Sequence, residues 1–116
     1  MAIINAQLKT TALDIIDPVS SLGVPVGKSY AVTNILICNT GTSDASFDMH
    51  LVPSGSSLNN KVTRVINNLT LPGGETFTFD SERIVLDAGD AIVFVASPDI
   101  GSFLTDLAAT LSYLEV

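Results

Sequence analysis

The chain is short of the residues on which most catalytic and ligand-binding sites depend. It has no tryptophan, one cysteine and one histidine among 116 residues. A single cysteine excludes an internal disulfide, and a single histidine cannot supply a multi-histidine metal site. Only five lysines and arginines stand against twelve acidic residues, which gives a formal net charge of −7. This balance argues against nucleic acid or an anionic membrane surface as a partner, because both require a basic footprint.

Long apolar runs are also missing. The longest clean run covers residues 91–96, far below the roughly 20 residues that a membrane-spanning helix needs. The first residues lack the basic and apolar regions of a signal peptide. The sequence therefore predicts neither a membrane span nor export by that route. The lack of disulfides fits folding in a reducing cytoplasm.

What the chain has in excess is apolar residues. They make up 47% of the sequence, charged residues make up only 15%, and the mean hydropathy is +0.46. The length predicts one domain, 1–116. A domain of this size has more apolar surface than one small core can hide. We therefore expect part of it to be buried against other subunits.

The hydrophobic pattern is typical of β-strands. Between residues 45 and 52, Phe47 and Met49 fall on one face, and Asp48 and His50 fall on the other. About eight short β segments follow one another, separated by turn residues, and no long amphipathic helix is evident. The sequence predicts an all-β fold, an antiparallel β-sandwich of jelly-roll-like type. Residues 54–70 fit either a short helical turn or an irregular strand.

Two of the predicted strands are apolar on both faces, namely residues 35–38 and 91–96. A central strand of a two-layer sandwich should show one face to solvent. Either the segment 54–75 folds over the outer face, or that face is a subunit interface, and the overall hydropathy favours the interface. The candidate interface residues are Ile35, Ile37, Val93 and Val95.

No catalytic or metal constellation emerges. His50 shares a face with Asp48, which can orient an imidazole, but without a second histidine or a nucleophile motif we expect a solvated or interface histidine. Cys38 is expected to be a small buried apolar residue. The pair Asp80 and Glu82 lacks the aromatic sugar platform of a glycosidase. The sequence predicts no enzyme, no cofactor and no metal.

The carboxylates of the turn 87–90 are too few for a calcium site. We expect Asp87 and Asp90 to stabilise the turn by accepting hydrogen bonds from nearby backbone N–H groups.

Three short motifs resemble those of a known group of proteins. They are CNTG at 38–41, LDAGDAI at 86–92 and SYLE at 112–115. In order and spacing they resemble small virion structural proteins of tailed bacteriophages. The resemblance implies a β-sandwich module mounted on the virion, often as an oligomer, and it implies no catalytic residues.

We therefore expect a non-enzymatic virion protein, assembled in the host cytoplasm, that decorates the capsid or forms an accessory part of the neck, tail or fibre attachment. Its expected partners are copies of itself, most simply in a trimer, and other virion proteins. Residues 1–16 are expected to form an extended attachment arm that adds to a neighbour's sheet edge. The alternatives are a host-surface or carbohydrate-binding module on the same fold and a generic intracellular β-domain scaffold.

Overall fold

The computed structural model describes residues 2–11, 13–14, 24, 26–79 and 84–116. Part of the expected arm, together with Asp80 and Glu82, lies outside these residues. The regular secondary structure within them is β-strand, as the alternation predicted. The strands are β1 (Ala2–Lys9), β2 (Leu13–Asp14), β3 (Tyr30–Asn39), β4 (Ala45–Val52), β5 (Arg64–Leu71), β6 (Thr76–Phe79), β7 (Ile84–Leu86), β8 (Ala91–Ser97) and β9 (Leu104–Glu115).

The strands form two antiparallel sheets. The first has the order β1-β9-β3-β6, with β7 also paired to β3, and the second has the order β2-β8-β4-β5. If β6 and β7 are counted as one interrupted strand, the chain pairs its first strand with its last, its second with its last but one, and so inward. This pairing is the wrapped antiparallel ladder of a jelly roll, so the predicted fold class is confirmed.

The core lies between the sheets and follows from the period of two. In β9, the residues Leu107, Ala109 and Leu111 are fully buried, and the residues between them are half-buried. In β4, Phe47 and Met49 face the core as the sequence predicted. Phe47 packs against Phe94 of the neighbouring strand β8, with ring centroids 6.1 Å apart, and against Phe77 of the first sheet, at 5.8 Å. Each sheet therefore turns one set of side chains inward and leaves the alternate set on an outer face.

The ambiguous segment 54–70 ends in strand β5, which begins at Arg64. The turn before it is held by the Asn59 carbonyl, which accepts hydrogen bonds from the backbone N–H groups of Val62 and Thr63. The irregular-strand interpretation is therefore the right one for residues 64–70. Within the described part of the chain, no helix is long and apolar enough to cross a membrane.

Candidate interaction surface

The outer face of the first sheet carries no charge over most of its area. Alternation and strand register place its side chains in rows across the five strands β1, β9, β3, β6 and β7. They are aliphatic, small or uncharged polar residues, and we call them the neutral face: Ile3, Asn5, Gln7, Ala31, Asn34, Leu36, Cys38, Thr76, Thr78, Val85, Ala108, Thr110, Ser112 and Leu114. A charge-free area of this kind is unusual on a chain with a net charge of −7. Depletion of charge is the compositional mark of an interface centre.

Among the described residues, charged side chains appear only where the neutral face ends. Lys9 pairs with Leu104 at one end of the sheet, next to Asp106 in β9. At the other end, the Lys28 ammonium lies 3.7 Å from the Glu115 carboxylate, and both side chains are about half exposed. The neutral face thus has a polar rim and an uncharged middle, which is the usual anatomy of a protein–protein contact.

Several aliphatic side chains of the neutral face are open to solvent. Ile3 is 67% exposed and Val85 is 62% exposed, while Leu36 is half-buried among its neighbours. The described strands belong to the two sheets alone, and they form no third layer over this face. The apolar excess seen in the composition is therefore partly displayed here.

Two of the four predicted interface residues, Ile35 and Ile37, do not lie on the neutral face. Ile35 and Ile37 are only 1% and 0% exposed and belong to the core of the single chain. The strand was the right one, but these side chains point inward, and the outward positions are Leu36 and Cys38. Burial between the sheets explains why Ile35 and Ile37 are apolar. The expectation of a buried Cys38 is wrong for the same reason, because its side chain is half-exposed on the neutral face.

Val93 and Val95 lie on the outer face of the second sheet. Val93 is already 8% exposed within the chain, and Val95 is half-buried. Val93 stands beside His50 in the register of β8 with β4. Contact of Val93 and Val95 with a second copy stays a prediction.

His50 is not solvated, contrary to expectation. Its side chain is fully buried, and Nδ1 lies 2.9 Å from the Thr63 hydroxyl oxygen. Thr63 is held over the strand because its carbonyl accepts the Leu51 backbone N–H at 3.0 Å. The turn before β5 therefore covers this part of the outer face. For this part, a segment of the same chain supplies the cover, which was one of the two explanations for strands that are apolar on both faces. Sequence alternation gave the right face of the strand but not the segment that lies on it.

The Thr63 hydroxyl joins the imidazole to the turn before β5. Its oxygen lies 2.9 Å from the Asn59 carbonyl oxygen and accepts the Asn59 backbone N–H at 3.0 Å. The direction of its hydrogen bond with Nδ1 follows from the tautomer of His50. The Nε2 atom is buried with no hydrogen-bond partner among the described residues. Burial lowers the pKa of His50, opposed by Asp48 and assisted by Arg64. His50 is thus a neutral structural residue.

Asp48 serves the backbone of the neighbouring strand rather than His50. Its carboxylate accepts the Asn68 backbone N–H at 2.6 Å, and Asn68 has a positive φ of 49°. The Arg64 guanidinium lies 3.9 Å from the other carboxylate oxygen. The pairing of His50 and Asp48 considered from the sequence is a shared face without a direct hydrogen bond in the structure.

The acidic turn 87–90 has the structural role expected of it. The Asp90 carboxylate accepts the backbone N–H of Asp87 at 3.0 Å and that of Ser54 at 2.8 Å. It thereby ties the β7–β8 turn to the segment that follows β4. Among the described residues, no group of three histidine, cysteine or acidic side chains is placed to hold a metal ion.

Aromatic side chains are mostly withdrawn from the surface. Of the aromatic residues, Phe103 alone is exposed, at 60%, while the others are buried or half-buried. Tyr30 and Tyr113 stack on each other, with ring centroids 4.4 Å apart. One exposed ring makes a poor sugar platform, so the carbohydrate-binding alternative gains no support from the surface.

Sequence reasoning missed the neutral face as a unit. The available signal was the alternation in β9, where the uncharged residues Ala108, Thr110 and Ser112 take the outward positions between the core residues. What the sequence does not show is which strands lie beside β9. Only the pairing of β9 with β1 on one side and β3 on the other brings the uncharged rows together.

A comparison of this chain with protein-family models, with curated proteins and with solved structures found no match. The neutral face and the fold are therefore the observations on which a function has to be argued.

Proposed function

We propose that this protein is a non-enzymatic structural module of a tailed-phage virion. In this role the neutral face packs against a neighbouring virion subunit, and the protein also associates with copies of itself. The module decorates the capsid or forms an accessory part of the neck, tail or fibre attachment. The observation that carries the proposal is the charge-free outer sheet face on an otherwise strongly acidic chain.

The charge distribution supports a docking role for this face. At a formal charge of −7, long-range repulsion opposes the approach of acidic neighbours over most of the surface. The neutral face is the area where another protein can approach without burying an unpaired charge, which is costly. Its small and uncharged polar residues suit a flat contact. The three motifs that resemble phage virion proteins support the same role.

The jelly roll is compatible with this function but does not specify it. The same architecture serves viral capsid proteins, lectins and cupins, and a fold alone does not determine function. The proposal therefore depends on the neutral face and on the resemblance. The order of strands places the residues of that face side by side on one sheet.

The direct test is to look for the protein in purified particles. Phage particles from a strain that carries the gene are banded on a density gradient and probed with an antibody against the recombinant protein. The proposal expects the protein to band with the particles at a fixed copy number relative to the major capsid protein. A protein found only in the soluble fraction of the lysate would contradict it.

A matched pair of variants links the result to the neutral face. Leu36→Asp places a charge in the middle of the face, and Thr70→Asp places one at an exposed position of β5 on the second sheet. We expect Leu36→Asp to be lost from particles and Thr70→Asp to be retained. Both variants must first show the far-ultraviolet circular dichroism of the wild type, so that misfolding is excluded.

A further inference from the structure

The four edges of the two sheets differ in how well they are protected against pairing with another chain. An unprotected edge strand presents a row of free N–H and C=O groups to any other strand. Strand β2 has two residues. The edge formed by β6 and β7 is split into pieces of four and three residues. Within the described residues, these two edges offer only short stretches for another strand to pair with.

Strand β5 is long but distorted. Its pairing with β4 shifts register on both sides of Met49, and Asn68 adopts a positive φ. Arg64 adds a charge at its start. Bulges and charges of this kind are the usual devices that keep an edge strand from pairing.

Strand β1 has none of these protections over most of its length. It runs for eight residues without proline, glycine or acidic residues, and its one charge is Lys9 at the end. Its register with β9 is unbroken from Ala2 to Gln7. Among the described residues, no strand pairs with its other side. Within the described residues, one regular and nearly uncharged edge is thus left open.

We propose that β1 pairs with β1 of a second copy, antiparallel about a two-fold axis, to join the two first sheets into one. A two-fold axis perpendicular to the sheet makes the neighbouring strands antiparallel and keeps both neutral faces on the same side. Directly opposite residues in such a pair share a face. The outward residues Ile3, Asn5 and Gln7 must therefore face outward residues of the partner copy, which excludes every register that is shifted by one.

Two registers give the longest overlap. In one, the two copies of Asn5 lie opposite each other, and in the other, Asn5 lies opposite Gln7 of the second copy. Both registers bring Ile4 against an inward apolar residue, Ala6 or Leu8, of the second copy. Neither places one Lys9 opposite the other. In both registers, inward apolar residues therefore meet inward apolar residues, and no two like charges lie opposite each other.

The size of the neutral face supports a second copy of the chain as the partner of β1. Four strands about 4.8 Å apart and some seven residues long span roughly 400 Å² in plan. A stable interface buries about 800 Å² on each partner. Two copies joined at β1 present a continuous neutral platform of about twice the plan area of one copy, which suits a stable interface better than one copy alone. The pairing also gives a dimer rather than the trimer expected from the sequence.

The inference from the open edge is independent of the virion role, whereas the argument from the size of the face rests on the docking role proposed for that face. The test is disulfide trapping in a Cys38→Ser background, which removes the only native thiol. The probe variant carries Asn5→Cys and Gln7→Cys, which covers both registers. The matched control carries Thr76→Cys and Thr78→Cys, exposed on the same face but at its opposite edge. A third variant, Thr110→Cys, reports face-to-face contact at the centre.

Mild oxidation of each purified variant is followed by non-reducing electrophoresis, after circular dichroism has shown that the reduced protein is folded. We expect covalent dimers from the β1 variant and background levels from the other two. No dimer from the β1 variant, or equal dimer from the β6 variant, would overturn the proposal. Preferential cross-linking through Thr110→Cys would overturn it in favour of face-to-face packing.

A reversible measurement guards against trapping of rare collisions. Sedimentation velocity compares Asn5→Lys with Thr78→Lys, each with the native cysteine in place. The two added lysines lie directly opposite each other in the Asn5–Asn5 register and diagonally adjacent in the Asn5–Gln7 register, so Asn5→Lys should lower the association constant about fivefold. Thr78→Lys should leave the association constant unchanged. Equal association of the two variants would contradict pairing through β1.

Discussion

The outer faces of the two sheets contrast in almost every respect. The first sheet presents the neutral face, with aliphatic residues such as Ile3 and Val85 open to solvent. The second sheet carries the Asp48–Arg64 ion pair and a buried histidine beneath the turn before β5. Both sheets contain a strand that is apolar on both faces. The turn before β5 covers His50 on one sheet, whereas the described strands form no layer over the neutral face of the other.

This contrast shows that one sequence pattern arises from two physical causes. In β8, Val93 is nearly buried within the single chain, so its apolar character needs no partner. In β3, the outward residue Leu36 has no intramolecular cover among the described strands. An apolar outer face therefore predicts burial of some kind, and only the tertiary structure shows whether the chain or a partner supplies it.

The largest expected effect separates the two faces of β3 itself. Ile37→Asp places a carboxylate in the closed core and should cost about 4 kcal/mol or more of unfolding free energy. Leu36→Asp, one residue away on the neutral face, should change it by less than about 1 kcal/mol. Urea denaturation of both variants measures the difference. Equal destabilisation would mean that the neutral face is covered within the chain.

The next effect tests the covered face of the second sheet. Thr63→Val removes the hydroxyl that joins His50 to Asn59 and leaves buried polar groups unpaired, at an expected cost of about 1–3 kcal/mol. Thr70→Val is the matched control on the exposed side of β5 and should be neutral or slightly stabilising. Denaturation curves that rank the two variants in the opposite order would contradict the role assigned to Thr63.

A pH dependence should follow from His50. Its pKa is lowered in the folded protein, so the unfolded chain binds the proton more readily. The stabilisation by neutral His50 is complete above the unfolded pKa of 6.5 and is lost as the pH falls through that value towards the lowered folded pKa. Unfolding free energies between pH 5 and 8 measure the slope. The variant His50→Gln should lose the part of the slope that comes from His50. A slope unchanged in this variant would mean that other groups cause the pH dependence.

The smallest expected effect is that of the Asp48 carboxylate on the pKa of His50. Asp48 raises the pKa of His50 against the effect of burial. Asp48→Asn keeps an acceptor for the Asn68 backbone N–H but removes the charge. The pKa of His50 should therefore fall further, and the acid-side loss should extend to lower pH. Titration by nuclear magnetic resonance reads the imidazole directly, with Asp106→Asn on the first sheet as a control that should leave its pKa unmoved.

The sequence predicted the fold class well because local alternation and turn residues carry it. Phe47 and Met49 lie on the predicted face, and the acidic turn 87–90 has the hydrogen bonds expected of it. It was harder to predict which side chains of β3 face the core, since Ile35 and Leu36 are both aliphatic and nothing local marks which one faces inward. The bulge between Val32 and Asn34 further breaks the count along the strand.

The candidate surface was less accessible to prediction than the fold. Its rows combine residues from the beginning, middle and end of the chain, such as Asn5, Leu36 and Thr110. Each of them is unremarkable in its own segment. His50 was misjudged for a similar reason, because Thr63 lies thirteen positions along the chain and reaches it through a turn that has no strong motif.

Because the first strand pairs with the last, β1 stays unpaired during synthesis until β9 has been made. The Thr105 hydroxyl donates to the Leu8 carbonyl across 97 positions of the chain. At translation rates of about 5–20 residues per second, β1 is complete for roughly 5–20 s before β9 leaves the ribosome. During that interval both sides of β1 are open. Neighbouring chains on one messenger RNA can then meet strand to strand before either has closed its own sheet.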